Sequence, residues 1–260
     1  MVAERTLGID SVMPSLLRGG FAEKLKTTEP DHLIRVAEMI REGGIVAFPF
    51  NGIYGLFGDI DNVDVVEDIV TAKNRPKDKK LIAVTTPETI DMHSDLARTK
   101  YPKEQIANLL KDIYALGVIL PASTRAPYHL VIGDGIDRTL LTIWTEYPPL
   151  RTMIEHLYIL GGRGLVGTSA NKSGEATHFN PDSLYLDFGT NVRAVVYDYF
   201  DHLSAQRRKS TTIIDLTNNY PRLHREGNVS EEEIREALKR HNFPELKVGR
   251  DVIEVRARAS

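Results

Sequence analysis

The sequence contains no cysteine among its 260 residues, so disulfide bonds, thiolate metal sites and cysteine nucleophiles are excluded. Aromatic residues are sparse, at 7%, with a single tryptophan. No apolar run approaches the roughly 20 residues that cross a bilayer, and residues 1–20 lack the apolar core of a signal peptide. These absences predict a soluble cytoplasmic protein that uses neither thiol chemistry nor a membrane.

Charge of neither sign dominates, with 33 Lys and Arg against 36 Asp and Glu. Proteins that coat nucleic acid are strongly basic, so this balance argues against that class while allowing one local basic cleft. The length suits one domain with extensions, and 42% hydrophobic residues can build a sizeable core. We expect an N-terminal extension over 1–30, one domain over 31–240 and a C-terminal appendage over 241–260.

Helical periodicity alternates with short apolar runs. Asp31 is a candidate N-cap for a first helix. The run 45–48 predicts a buried strand, which Pro49 is expected to end. Ser230 and Glu233 form a capping-box pattern that predicts a last helix reaching about Arg240. Further strands are predicted at 81–84, 117–120, 140–143, 165–168, 192–197 and 211–216, and further helices at 64–73, 101–114 and 150–160. This alternation predicts an α/β domain.

Three polar segments are candidates for a ligand site, because ligands of open α/β sheets collect at loops beyond strand ends. The segment 49–56 contains glycines that allow close backbone approach. The segment 73–80 places five Lys or Arg in eight residues, and such cations neutralise phosphate. The segment 168–174 offers hydroxyls, an amide and a lysine but no Walker pattern. Taken alone, the segment 49–56 is better explained as a turn and the segment 73–80 as a solvated charge run, and the segment 168–174 is equally consistent with a hydrophilic turn.

The order of short motifs resembles one family. The motifs are Tyr54-Gly55-Leu56, Lys73-Asn74-Arg75-Pro76, Thr168-Ser169-Ala170-Asn171-Lys172-Ser173-Gly174, Ser210-Thr211 and Arg225-Glu226-Gly227. In this order they resemble the YrdC-like family, the threonylcarbamoyl-AMP synthases, over about residues 33–240. The resemblance implies an α/β fold with a twisted mixed sheet flanked by helices and a basic concave cavity.

The resemblance also implies an activity. Family members condense ATP, bicarbonate and L-threonine into L-threonylcarbamoyl-AMP and pyrophosphate, and a partner enzyme then modifies tRNA. The chain would therefore be a nucleotidyltransferase that takes L-threonine or a related amino acid. ATP would arrive with Mg²⁺ held by phosphate oxygens and water, without a metal site on the protein.

Site residues follow from the same resemblance. Lys73 and Arg75 would be catalytic and hold the ATP phosphates. The implied nucleotide-binding residues are Ser169, Asn171, Ser173, Ser210 and Arg225. Tyr54 and Asn51 would lie on the amino-acid side of the cavity.

Two departures from the family pattern affect that amino-acid side. Relatives carry Pro-Thr-Asp/Glu-Thr before Tyr-Gly-Leu, whereas this chain has Phe50, Asn51 and Gly52. Relatives also carry an arginine near the position of Trp144, for which core packing is the expected role here. These departures predict a divergent member with a retained nucleotide site and an altered amino-acid loop.

Two alternatives use the same segments. A non-synthase relative could bind nucleotide or double-stranded RNA through the concave basic surface, with affinity that falls steeply with salt. Similar domains also form carbamoyl-adenylate within carbamoyltransferases, which need further domains. The scattered histidines predict no zinc site.

Overall fold

The computed structural model describes residues 20–76, 80–86, 88–113, 115–199, 203–205 and 207–248. Its helices are α1 (Pro30–Arg41), α2 (Val63–Ala72), α3 (Lys103–Asp112), α4 (Pro148–Ile159), α5 (Pro181–Phe188) and α6 (Glu231–Arg240). Its strands are β1 (Glu23–Lys26), β2 (Val46–Phe50), β3 (Ile53–Asp59), β4 (Ile82–Thr85), β5 (Gly117–Pro121), β6 (Thr139–Trp144), β7 (Leu165–Ser169), β8 (Ala194–Tyr197), β9 (Ile213–Asp215) and β10 (Arg222–Arg225). The predicted lysines of 77–79 lie outside the described residues.

These ten strands form one sheet in the order β1-β8-β2-β3-β7-β4-β6-β5-β9-β10. Strand β8 pairs in parallel with β1 and β2, β4 with β6, and β5 with β9. The other pairs are antiparallel. The predicted mixed α/β sheet is therefore confirmed, whereas the basic character of its cavity stays a prediction.

Helices cover both faces of the sheet. Because successive strand residues point to opposite sides, neighbouring residues of one strand pack against different helices. On β2, Val46 and Phe48 pack with residues of α1 and α4, whereas Ala47 packs with residues of α2 and α5. A third cluster joins α3 and α6 to β5 and β9 and includes Phe243 and Leu246. None of the helices in the described part of the chain combines the length and apolar character that a membrane span requires.

The segment 49–56 is a β-hairpin, so its prediction as a loop was wrong. Pro49 belongs to β2 and lies opposite Tyr54 of β3. It is tolerated because β2 pairs with β8 only at Val46 and Ala47, which leaves no ladder on that side for a proline to interrupt. Asn51 and Gly52 make the turn with φ of 51° and 90°, the backbone that a two-residue hairpin requires.

Helix ends agree in part with the sequence patterns. The capping box of Ser230 and Glu233 is confirmed at the start of α6. The N-cap prediction for Asp31 was wrong, because α1 begins at Pro30 and Glu29 is its N-cap, without a side-chain hydrogen bond. Proline fits this position because the first helical N–H needs no partner within the helix.

Candidate functional site

Lys73 joins two of the predicted segments. It caps the C-terminus of α2 and is only 1% exposed. Its Nζ donates to the carbonyl oxygen of Ser169, to that of Asn171 at 2.6 Å and to Asn171 Oδ1 at 3.2 Å. In return, the N–H of Ser173 donates to the carbonyl of Lys73 at 2.9 Å. A buried ammonium requires such compensation, so the two segments form one structural unit.

Hydrogen bonds within the segment 169–175 and to β3 hold this loop in place. Ser169 Oγ donates to Asn171 Oδ1 at 2.6 Å, and Asn171 Nδ2 donates to the carbonyl of Glu175 at 2.9 Å. The N–H of Ala170 donates to the carbonyl of Tyr54 at 2.7 Å. Ser173 remains exposed. The loop therefore has a defined conformation before any ligand arrives.

Arg75 and Arg225 lie close together in space, although their motifs are distant in the sequence. Arg225 on β10 donates from Nε and Nη2 to the carbonyl of Thr211 at 3.1 and 2.8 Å. Arg225 is accessible to solvent, yet desolvation by the surrounding protein and the charge of Arg75 lower its pKa. Arg75 also contributes, after burial, to lowering the pKa of Lys73 to about 7. Three cations therefore share one region, an arrangement that an anion would relieve.

Ser210 is held by the residues that follow Arg225. Its carbonyl accepts from the N–H of Asn228 at 2.9 Å. A Cβ on Gly227 would lie 1.9 Å from the same oxygen, so glycine is required there. Thr212 Oγ1 accepts from the N–H of Gly227 at 2.9 Å and donates to the carbonyl of Val229 at 2.6 Å. The last two motifs therefore form a second structural unit.

Tyr54 connects β3 to the segment after β8. The side chain is fully buried, and its hydroxyl donates to the carbonyl of Asp198 at 2.7 Å and accepts from the Asp198 N–H at 2.9 Å. Burial raises the pKa of Tyr54 well above its usual range. Tyr147 donates its hydroxyl hydrogen to the Asp198 carboxylate. The predicted contact of Tyr54 with an amino acid stays a prediction.

A cavity of about 600 Å³ lies beside the hairpin turn and includes Asn51 in its wall. This volume is in the range of small-molecule sites. Arg207 also lines it, and donates to the carbonyl of Asn228 at 3.3 Å and to Glu233 at 2.7 Å. Because Asn228 also holds Ser210, the cavity adjoins the unit that contains Arg225.

Two of the positions that depart from the family pattern, Phe50 and Trp144, are packed in the core. Phe50 is 5% exposed and meets the ring of Phe57 edge-on, with ring centroids 6.1 Å apart. Trp144 is 2% exposed, and its Nε1 donates to Glu146 at 3.0 Å. The predicted packing role of Trp144 is confirmed.

The patterns used above did not indicate Arg207 or Asn228. The available signal was the run Arg207-Arg208-Lys209 directly before Ser210, three cations next to a predicted nucleotide segment. Asn228 follows Gly227 and could have been included with that motif. Within the described ranges, no three histidine, aspartate or glutamate side chains come together as a metal site would require.

Comparison with known proteins decides the family. The family model for Sua5, YciO and YrdC, described as "Telomere recombination", matches residues 38–227. The chain belongs to this family. Its motifs and fold agree with that membership, and its curated relatives are named threonylcarbamoyl-AMP synthases.

The relatives are distant. The synthase of Vibrio vulnificus is 27% identical over 172 residues, covering 64% of this chain and 86% of the relative. That of Halorhodospira halophila is 31% identical over 174 residues, covering 65% and 84%. That of Bacillus subtilis is 26% identical over 214 residues, covering 82% of this chain but 58% of the relative.

Solved structures confirm the fold. The crystal structure of P. abyssi Sua5 complexed with L-threonine has a TM-score of 0.72 and 24% identity, over 88% of this chain and 63% of that one. The E. coli YciO structure has a TM-score of 0.63 and 16% identity, over 82% of this chain and 98% of that one. The chain thus spans less than two thirds of the Sua5 chain and nearly all of YciO.

Proposed function

We propose that this chain is a nucleotidyltransferase that makes L-threonylcarbamoyl-AMP from ATP, bicarbonate and L-threonine. The observation that carries the proposal is that Arg225, from a motif far along the sequence, lies close enough to Arg75 for the charge of Arg75 to lower its pKa, and that Arg75 lies beside the buried Lys73. The names of the curated relatives support the same activity. Mutually repelling cations are suited to a polyanion such as a triphosphate.

The proposed reaction has two steps, carbamate formation and adenylation. The amine of threonine and bicarbonate form a carbamate with loss of water. A carbamate oxygen then attacks the α-phosphorus of ATP, and the bond to the β-phosphate breaks to release pyrophosphate. Negative charge accumulates on the phosphoryl oxygens, so fixed positive groups and alignment matter more than a strong base.

Lys73 has a different role from Arg75 and Arg225. All three donors of the Lys73 ammonium have acceptors within the loop 169–171, so Lys73 acts mainly by holding the loop that carries Ser169, Asn171 and Ser173. Arg75 and Arg225 supply the charge for the phosphates. The predicted contact of Lys73 with phosphate stays a prediction.

Further components are part of the proposal. Mg²⁺ accompanies the triphosphate, held by phosphate oxygens and water. The product is a mixed anhydride and is therefore reactive toward nucleophiles. A partner enzyme uses this reactivity to transfer the threonylcarbamoyl group of the product to a tRNA adenosine.

The test is pyrophosphate release by purified protein with ATP, Mg²⁺ and bicarbonate, with and without threonine, and mass spectrometry of the product. Threonine-dependent release with a threonylcarbamoyl-adenylate product supports the proposal. Absence of release together with salt-sensitive, ATP-independent binding of double-stranded RNA supports the alternative function instead.

A further inference from the structure

His93 is a histidine that the proposed reaction does not use. It is fully buried, and its Nε2 lies 2.9 Å from the carbonyl oxygen of Arg163. Because a carbonyl can only accept, Nε2 carries the hydrogen of the neutral ring and Nδ1 keeps a lone pair. Nδ1 is also buried and has no hydrogen-bond partner among the described residues. A second proton would therefore enter at an atom that meets neither water nor an acceptor, which is costly.

His93 contacts two further loops. The N–H of Ser123 donates to the carbonyl of His93 at 2.8 Å, and Ser123 Oγ donates to the carbonyl of Met92 at 3.1 Å. Next to the ring, Gly164 has a φ of 144°, and a Cβ there would lie 3.4 Å from His93 Nε2. His93 thus binds the loop after β5 by its main chain and the loop before β7 by its ring.

Arg163 extends these contacts to the loop after β3. Its Nε donates to Asp61 Oδ2 at 2.8 Å, and its Nη2 donates to Asp61 Oδ1. Its Nη1 donates to the carbonyl of Arg125 at 3.3 Å. We call Asp61, His93, Ser123, Arg125 and Arg163 the loop junction, because they connect the loops after β3 and β5 to the loop before β7. Loss of the contact between His93 and Arg163 would weaken this junction at a buried point.

The charges that face His93 oppose its protonation on balance. Burial is the largest cause, and with the charges of Arg163 and Arg125 it lowers the pKa of His93. The hydrogen bond to the Arg163 carbonyl and the charge of Asp61 act in the other direction, but Asp61 is already paired with Arg163. His129 also lies near Asp61, and burial lowers its pKa as well, so it adds no positive charge at neutral pH.

We propose that His93 is an acid-sensitive switch: the neutral ring closes the loop junction, and protonation of Nδ1 opens it. Opening gives the imidazolium water for its second N–H, and the histidine then has its ordinary affinity for protons. Because the open form binds a proton more readily than the closed form, the free energy of opening falls as the pH drops below about 6.5. The switch lies at the far end of β3 and β7 from Tyr54 and Ser169, so it is independent of the proposed reaction.

Hydrogen exchange of backbone amides between about pH 7.5 and 5 measures the opening. The Ser123 amide reports on the junction because it donates to the carbonyl of His93. The Ile60 amide reports on the same region because it donates to the carbonyl of Gly164 at 3.2 Å. Protection factors correct for the intrinsic pH dependence of exchange. The NMR signal of the ring Cε1–H follows the titration of His93 itself.

Two variants separate the switch from a general effect of acid. His93→Gln keeps a side-chain N–H for the Arg163 carbonyl but cannot be protonated. The matched control is His156→Gln, at a half-buried histidine of α4, which removes an imidazole without touching the junction.

In wild type and in His156→Gln, protection of Ser123 and Ile60 should fall by up to about thirtyfold at pH 5, the factor by which protonation favours a form of pKa 6.5. In His93→Gln this fall should be absent, and amides within α6 should stay protected in all three proteins. Wild-type protection that does not change with pH, or an equal fall in His93→Gln, overturns the proposal. A wild-type His93 ring that titrates at or above about 6.5 overturns it independently of the variant, so the proposal stays testable if His93→Gln does not fold.

Discussion

Lys73 Nζ donates to the carbonyl oxygen of Asn171 at 2.6 Å and to its side-chain Oδ1 at 3.2 Å. One buried ammonium thus fixes both the main chain and the side chain of a residue 98 positions away in the sequence. Asn171 in turn holds Ser169 and the carbonyl of Glu175. Disturbance of this contact should therefore affect the whole loop.

Lys73→Met keeps most of the side-chain volume and removes the ammonium, so the carbonyls of Ser169 and Asn171 and the Asn171 Oδ1 each lose a donor. Because buried acceptors that lose a partner are costly, we expect about 1–3 kcal/mol of lost stability in urea unfolding. The KM for ATP should rise, and amide exchange in the loop 169–175 should accelerate. Lys172→Met, at an exposed lysine of the same loop, is the control and should leave all three unchanged.

The activity should respond to the protonation of Lys73. Burial, with the charge of Arg75 added, lowers its pKa from 10.5 to about 7. The ammonium has three hydrogens to donate and the neutral amine only two. We expect kcat/KM for ATP to fall as pH rises through about 7. Lys73→Arg, which stays charged, should lose this limb. An identical pH profile in the variant would contradict the assignment.

The stability of the fold should change with pH in the opposite direction. Because folding lowers the pKa of Lys73 to about 7, the unfolded chain binds more protons between that pH and 10.5. The contribution of Lys73 to the free energy of unfolding therefore rises with pH across this interval. Urea unfolding of wild type and Lys73→Met at several pH values measures it, and equal pH dependence in both would refute the shift.

The motifs predicted which distant segments come together more completely than they predicted the local structure of those segments, whereas the roles of the site residues stay predictions. Five motifs in order placed Lys73 and the loop 168–174 in one pocket, and the structure joins them by direct hydrogen bonds. The hairpin was missed because the glycines were interpreted as ligand-binding, although Asn51-Gly52 between apolar residues is a turn signal. Strands β1 and β10 each bury a single residue, so no apolar run indicated them.

Other spatial relations could not be predicted from local patterns. The family resemblance implied that Arg75 and Arg225 share one site, but no local pattern does, because their proximity depends on how β10 returns beside β9 at the edge of the sheet. The cavity depends on the approach of Arg207 to Gly52, which are far apart in the sequence. Such contacts come from the packing of the whole sheet, for which local periodicity carries no information.

Arg225→Met should separate charge from packing. The variant keeps the aliphatic length and removes the guanidinium that lies near Arg75. Since charge-assisted hydrogen bonds contribute about 1.5–3 kcal/mol, ATP should bind about tenfold or more weakly, with a smaller dependence on salt. Arg222→Met, at another exposed arginine of the same strand, is the control. Unchanged ATP affinity in Arg225→Met would exclude Arg225 from the phosphate site.

Gly227→Ala should push the segment around Gly227 away from the segment around Ser210. A Cβ there would lie 1.9 Å from the Ser210 carbonyl oxygen, so the backbone must move and the hydrogen bond from Asn228 is strained. We expect about 1–3 kcal/mol of destabilisation, typical of overpacking, and weaker ATP binding. Gly20→Ala, where a Cβ meets nothing within 4 Å, should be neutral. Wild-type stability of Gly227→Ala would show that the backbone around Gly227 and Ser210 can shift at little cost.

Tyr54→Phe tests whether the buried hydroxyl acts in structure or in substrate binding. Its hydroxyl donates to the carbonyl of Asp198 and accepts from the Asp198 N–H, so the variant removes both hydrogen bonds from a part-buried stretch of main chain. We expect a loss of about 1–3 kcal/mol in thermal or urea unfolding, with the KM for threonine changed by less than about threefold. A tenfold rise in that KM at unchanged stability would instead establish Tyr54 as a substrate contact, because loss of the hydrogen bonds to Asp198 affects threonine binding by way of the fold.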